Sequence, residues 1–478
     1  MSSTAQSLAG NRIYSLLDEN SFVEIGGCVT VRNTDFNLSE KETPADGVIT
    51  GYGVIDGSLV YVYSQDASVL NGSIGEMHAK KIVHLYDLAM KTGAPVIGLI
   101  DCAGFRLQEA TDALNAFGEI YTKQVMASGV IPQITGIFGN CGGGLAVVPA
   151  LTDFTFMEKD KARLFVNSPN ALEGNDSSKC DTSSAQYQSQ NAGLVDVLGS
   201  EEEILAQMRQ LVSMLPSNYE DNSAYTECTD DLNRVCPELA NCVGDTSIAL
   251  SQIADNNEFF EVKAEYAKDM VTGFIRLNGA TVGCVANRSE IYNEEGEKTD
   301  SFDNVLSARG CKKAAQFVKF CDAFEIPVLT LTNVKGYKAT KCSEANMARN
   351  AAELTNAFIS ATVPKVNVVI GEAFGSAYLT MNSKSTGADM VYAWPSAQIG
   401  MMDAKLAAKI MYAGSDVQTI NEKAAEYAML QSSALSAAKR GYVDTIIEPL
   451  DTRKYVIGAF EMLFTKRENR PDKKHGTV

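Results

Sequence analysis

Five prolines and glycines in the first half of this 478-residue chain recur in the second half at one fixed distance. Pro95, Gly104, Pro132, Gly139 and Gly143 are matched by Pro327, Gly336, Pro364, Gly371 and Gly375, each 232 positions further on. Each pair lies beside an apolar run of strand length, and proline and glycine are the residues that most constrain backbone shape. Five ungapped matches at such residues imply a tandem duplication, and a period this long means two homologous domains rather than a solenoid. The stretch 217–243, with its Asn, Asp, Cys and Pro, reads as the connection, which predicts domains over 1–232 and 233–478.

Within each half the pattern alternates between strand and helix. Residues 53–63 read as two strands joined at Asp56-Gly57, and 273–283 as two joined at Asn278-Gly279, pairs that accept the positive φ of a tight hairpin. In the first half a helix opening at Gly72-Ser73 and running to about Lys91 follows, then a strand over 95–100, a helix over 107–127 and a strand over 131–138. Such alternation predicts an α/β layer architecture. Residues 160–190 are polar and read as irregular, whereas 201–215 form an amphipathic helix ending at Pro216.

The residue inventory removes several chemistries. A formal charge of −18, from 41 basic and 59 acidic residues, argues against nucleic acid or anionic membrane as a general partner. Eleven cysteines without a C-x-x-C pair, and an N-terminus Met1-Ser2-Ser3-Thr4-Ala5 without a charged region and apolar core, predict a cytoplasmic chain with reduced thiols. No apolar run is long enough to span a bilayer. Only His78, His84 and His475 exist, none at metal-ligand spacing or beside a nucleophile, so zinc sites and hydrolase triads lack material and no metal is expected. His78 and His84 read as ordinary helix residues. Neither a phosphate-binding G-x-x-x-x-G-K-[ST] loop nor a G-x-G-x-x-G turn is present. Ala89-Met90-Lys91 resembles a biotinylation signature, but Thr92-Gly93 follows and a helix end is the better reading.

What remains is backbone electrostatics. Gly139-Asn140-Cys141-Gly142-Gly143-Gly144 follows a strand and precedes the apolar run 145–150. A strand, a glycine turn and a helix start leave N–H groups facing outward, where they can hold developing negative charge. Four such places are expected: Gly104-Phe105 and Gly143-Gly144, then Gly336-Tyr337 and Gly375-Ser376-Ala377. One alone would read as a tight turn; four in register read as function.

On these residues the chain resembles the carboxyltransferase subunits of biotin-dependent acyl-CoA carboxylases and decarboxylases. The resemblance is carried by segments 93–99, 106–109, 127–133 and 149–157 in the first half, and by 317–324, 361–366, 392–395 and 440–444 in the second. It implies two crotonase-like (ClpP/crotonase) domains, assembled as a homohexamer, a trimer of dimers in which the first domain of one protomer faces the second domain of another. It further implies that acyl-CoA lies on the first domain, where Gly143 and Gly144 hold the thioester enolate. Carboxybiotin, delivered by a separate carrier, would enter from the second domain, where Gly375, Ser376 and Ala377 face its ureido oxygen. Gly104, Phe105, Arg106, Gly336, Tyr337 and Leu379 would bind substrate, with Arg106, and less strongly Lys80 and Lys81, near CoA phosphates.

The resemblance also implies a biotin carrier subunit, with either a biotin carboxylase subunit or membrane decarboxylase subunits as further partners, so that the chain would be cytoplasmic or peripheral to a membrane complex. The family's Ser-Gly-Gly-Ala-Arg is here Cys102-Ala103-Gly104-Phe105-Arg106, its Pro-Gly-Phe is Lys335-Gly336-Tyr337, a serine stands at Ser376, and Leu379 replaces the Asp of propionyl-type members. The C-terminal 470–475 resembles family tails, which predicts a chain without a fused carrier. A crotonase-type hydratase or isomerase would need carboxylate bases after the glycine loop, and 145–151 has none. A non-catalytic assembly subunit is the other alternative, separated by biotin-dependent decarboxylation.

Overall fold

The computed structural model describes residues 7–32, 36, 38–221, 225–472, 474 and 477–478. His475, residues 1–5 and parts of the expected 32–46 loop and 217–243 connection lie outside them. The chain divides into two compact units, Met1–Ala224 and Tyr225–Val478. The division comes ahead of the expected one after residue 232, because the intervening segment belongs to the second unit. Tyr225 bridges Ala280, the Thr226 N–H donates to Gly279 O at 3.1 Å, and Asp230 is paired with Arg234.

The first unit is built on one sheet of β1 (Val23–Ile25), β2 (Val48–Ile55), β3 (Ser58–Gln65), β4 (Val96–Cys102), β5 (Gln133–Gly142), β6 (Phe154–Glu158), β7 (Arg163–Phe165) and β8 (Val197–Gly199). The order is β1-β2-β3-β4-β5-β6-β8, with β7 also on β5. β1, β2 and β3 pair antiparallel; from β3 onward every pairing is parallel. The run Val96–Ile100 of β4 is buried throughout, as a parallel strand covered on both faces requires.

The second unit repeats this with β9 (Phe259–Val262), β10 (Met270–Leu277), β11 (Ala280–Asn287), β12 (Glu290–Tyr292), β13 (Lys298–Ser301), β14 (Val328–Val334), β15 (Lys365–Phe374), β16 (Met390–Ala393), β17 (Gln398–Gly400) and β18 (Thr445–Ile446). Read from β9, its order β9-β10-β11-β14-β15-β16-β18, with β17 on β15, matches the first sheet strand for strand. Among the described residues the separate β12–β13 hairpin has no counterpart in the first unit. The α/β reading therefore holds in both halves. Both expected hairpin turns form with positive φ at both central residues, 49° and 81° at Asp56-Gly57 and 51° and 79° at Asn278-Gly279.

Helices cover the sheets. Glu76–Thr92 stops at Gly93, which is left-handed at φ 65°, and Lys91 sits in its last turn. It begins later than Gly72, which instead ends a 3₁₀ turn. The second expected helix forms as Ala110–Ala127 behind a short 3₁₀ turn, and Glu201–Met214 starts with a Ser200–Glu203 capping box. Ile82, Leu85, Tyr86, Phe117 and Ile120 pack from these helices into the first core; Val271, Leu329, Val366, Val368 and Trp394 lie in the second. Among the described residues no helix is long and apolar enough to cross a membrane.

Candidate active site

The first expected anion site is placed by β5. This strand runs to Gly142, beyond the expected end at 138, so Gly139 is part of the strand rather than the turn. A Cβ at Gly139 would stand 2.0 Å from Asp101 Oδ1, so glycine there makes room for a neighbour. The turn itself is made by Gly143 at φ 63°, which opens the 3₁₀ segment Gly143–Ala146 and then the Val147–Leu151 helix. The N–H groups of Gly143 and Gly144 belong to a first turn, where no intrahelical acceptor exists. Beside them stands an aromatic row. Phe105 and Phe117 meet edge-on at 4.8 Å, and Phe117 and Tyr121 at 4.8 Å. The Tyr121 hydroxyl donates to Gly144 O, and burial pushes its pKa up.

The second unit repeats the turn 232 residues later, where Gly375 at φ 61° opens the Gly375–Thr380 helix after β15. Gly336, Tyr337, Gly375, Ser376 and Ala377 all line one open cleft of about 400 Å³, together with Phe374, Met401, Met402, Asp403 and Leu406. Its lining is mixed, Tyr337 and Ser376 standing with Phe374, Met401, Met402 and Leu406, whereas the first turn faces the Phe105, Phe117 and Tyr121 rings. The Tyr337 hydroxyl meets Thr380 Oγ1 at 3.0 Å, and Thr380 donates to Ser376 O at 3.1 Å. Lys335 and Glu372 add charges to the rim.

The loops carrying the other two expected sites share one backbone pattern. Ile74 N–H donates to Gly104 O and Arg106 N–H to Ile74 O; Leu306 N–H donates to Gly336 O and Lys338 N–H to Leu306 O, all at 2.9 Å. The Gly104 N–H is turned to Cys102 Sγ at 3.2 Å, so it is engaged within the loop.

Several expected residues take other parts. The Arg106 guanidinium is buried, 2.7 Å from Asp46 and 2.8 Å from Glu109, and donates to Ser73 O. A phosphate reaching it would have to displace two carboxylates, so Arg106 is a structural cation that ties the loop to the fold. Lys81 is buried too, donating to Ala45 O and Val48 O, with burial pulling its pKa down to about 8. Lys80 remains on the surface beside Glu76. Leu379, 43% exposed, does not line the cavity. His78 is fully buried and held neutral at a pKa of about 3 by burial, its ring 3.2 Å from Gln65 and 3.0 Å from Asp46 O. Among the described residues no group of His, Cys, Asp or Glu is disposed to hold a metal.

Sequence reading did not single out Phe117, Tyr121 or Thr380. The spacing of Phe117 and Tyr121, four apart on a helix that follows the Phe105 loop, was the available signal.

The carboxyl transferase domain family matches residues 3–478. The chain is 40% identical to the propionyl-CoA carboxylase beta chain of Roseobacter denitrificans, over 98% of this chain and 93% of that one. It is 39% identical to the methylmalonyl-CoA decarboxylase subunit alpha of Veillonella parvula, over 98% and 92%. Among solved structures, the transcarboxylase 12S hexamer with hydrolysed methylmalonyl-coenzyme A superposes with a TM-score of 0.92 at 36% identity, covering 99% of this chain and 93% of that one. The two matched sheets, the two glycine turns and these likenesses agree: the chain belongs to the carboxyl transferase domain family and is an acyl-CoA carboxyltransferase of the biotin-dependent kind.

Proposed function

We propose that the first unit binds a short-chain acyl-CoA and holds its thioester oxygen on the Gly143 and Gly144 amides, and that the second unit binds carboxybiotin at Gly375–Ala377. The observation that carries this is the repeated glycine turn with unlike walls. Both turns present first-turn amides, suited to an oxygen that gains charge during the reaction. The Phe105, Phe117 and Tyr121 wall suits an alkyl group, whereas the mixed lining beside Gly375, with Tyr337 and Ser376 next to Phe374 and Met401, suits a polar ureido ring fused to an apolar one. The cavity of about 400 Å³ beside Gly375 fits such a bicyclic group. Carboxybiotin supplies the carboxyl group and the base for the acyl α-proton, in keeping with the lack of a side-chain base in 145–151. The protein's part is to position and to stabilise charge.

The relatives supply the further reading. Carboxylases and decarboxylases both occur among them, and both directions pass through the same intermediate charge. The transcarboxylase 12S structure is described as a hexamer, which supports a homohexamer here, acting with a separate biotin carrier and with biotin carboxylase or membrane decarboxylase subunits.

The test is carboxyl transfer from malonyl-, methylmalonyl- and glutaconyl-CoA to free biotin. Gly144→Pro deletes one amide of the first turn and is expected to lower kcat about 100-fold or more. Ser376→Pro deletes one of the second turn, at a position where proline fits a helix start, and is expected to weaken biotin use while CoA-ester binding persists. Full transfer by Gly144→Pro with every substrate would remove the acyl-side assignment.

A further inference from the structure

The Phe105 side chain stands against the proposed oxyanion turn. A Cβ built on Gly144 would lie 3.1 Å from Phe105 Cζ and 3.5 Å from the Tyr121 hydroxyl oxygen. Both side chains therefore stand against the Gly144 Cα, next to the N–H that would hold the thioester oxygen. The acyl α-carbon is one bond from the carbonyl carbon, so a substituent on it falls within reach of these rings.

The wall is held rigidly. Phe105 is braced edge-on by the buried Phe117, Phe117 by Tyr121, and the Tyr121 hydroxyl is tied to Gly144 O. A longer substituent cannot push one ring aside without disturbing the others and the Gly144 peptide, and overpacking a braced site is unfavourable. The matching position in the second unit carries Tyr337, whose hydroxyl meets Thr380 Oγ1, so that ring is held by a hydrogen bond.

We propose that the Phe105 ring, braced by Phe117 and Tyr121, is the stop that sets the largest substituent the enzyme accepts at the acyl α-carbon. This rests on the reading that the first unit takes the acyl-CoA. The chemical class selected is a CoA thioester with hydrogen or a short alkyl group on the carbon that gains or loses the carboxyl. Longer chains are rejected by contact with the ring.

The experiment is transfer to free biotin from malonyl-, methylmalonyl-, ethylmalonyl- and butylmalonyl-CoA, with kcat/KM for each, by wild type, Phe105→Leu, Phe105→Ala and Tyr337→Ala. Thermal unfolding confirms that each variant is folded. In wild type, kcat/KM is expected to fall about tenfold or more per step beyond the largest accepted group. Phe105→Ala should raise the butylmalonyl-to-methylmalonyl ratio at least about tenfold, with Phe105→Leu in between. An unchanged ratio in both folded Phe105 variants overturns the proposal. If Tyr337→Ala broadens the profile and the Phe105 variants do not, the acyl group lies on the second unit and the side assignment falls as well. If none broadens it while Gly144→Pro still abolishes transfer, the side assignment stands and Phe105 is not the stop.

Discussion

The two units share one backbone and handle charge in opposite ways. At the loop after the fourth strand, Arg106 is buried between Asp46 and Glu109, while Lys338, 232 residues on, is exposed. At the start of the fifth strand, the Gln133 N–H donates to Asp153 and the Lys365 N–H to Asp389, both at 2.8 Å. Lys466 sits 2.9 Å from Asp389, whereas Asp153, set near Asp196, is pushed by burial up to about 7. The hairpin turns diverge too. Asp18 accepts from the Asp56 and Gly57 amides and is held by Arg209, part-exposed; Asp255 accepts from Asn278 and Gly279 and is held by a fully buried Arg453. Even the buried lysines 81 and 313, again 232 apart, differ. Lys81 donates to two carbonyls and Lys313 to three, those of Lys263, Tyr266 and Met270. Duplication preserved what the backbone needs and left free which side chain supplies it.

The largest expected difference between the units lies at their hairpin arginines. Arg453 donates to Ile253 O at 2.7 Å and to Asp255 at 2.6 Å with no exposure of its side chain. Arg453→Ala takes the counter-charge from the buried Asp255, which keeps only its two amide donors, and a donor from Ile253 O, and should destabilise the second unit by about 3–5 kcal/mol. Arg209→Ala, on a part-exposed pair, should lower stability by about 1 kcal/mol or less. The sole tryptophan, Trp394, is buried in the second core and donates to Thr452 at 3.0 Å, so its fluorescence in urea reports that unit directly, while circular dichroism follows both units together. Equal losses would mean that burial does not distinguish the two pairs.

Next in size is a pH effect confined to the first unit. The folded Asp153 keeps its proton up to about 7, against about 4 when unfolded. Between these values the folded chain binds more protons, so stability falls as pH rises from about 4 to about 7 and levels off above. Asp153→Asn should flatten that fall. Asp389→Asn should leave the slope in place and instead lower stability by roughly 1 kcal/mol through loss of the Lys466 pair. A slope that survives Asp153→Asn would assign it to another group.

How much of this could be read beforehand depends on the range of the interaction. Asp56-Gly57 and Asn278-Gly279 announced their hairpins because positive φ at both positions is a local demand, and Gly143 and Gly375 announced their turns in the same way. The fixed offset disclosed the duplication, and with it the matching strand orders. Arg106 misled because, although Glu109 is only three residues on, the Asp46 that completes its pairing lies 60 residues away, a distance no short pattern spans. Gly139 looked like part of the turn because a glycine that clears space for Asp101 is spelled like one that bends the chain. The partners of Asp389 and Asp255 likewise come from residues 466 and 453, on segments no short pattern connects to them.

The smallest effects bear most directly on the division of labour. Tyr121→Phe keeps the ring and removes only the hydrogen bond to Gly144 O, a change of about 1 kcal/mol. If that bond orients the turn for a charge present only in the transition state, kcat should fall about fivefold while KM for the CoA ester stays put. The chain-length profile should also stay put, because the wall at Phe105 is intact. Thr380→Val in the second unit removes the hydroxyl shared by Tyr337 and Ser376 O, and should raise KM for biotin several-fold while leaving the acyl-CoA parameters alone. The pair breaks the comparison cleanly if it fails. Should both variants move the same kinetic parameter, the unlike walls of two like turns would not sort the two substrates, and the polarity of Tyr337 and Thr380 would be a matter of packing alone.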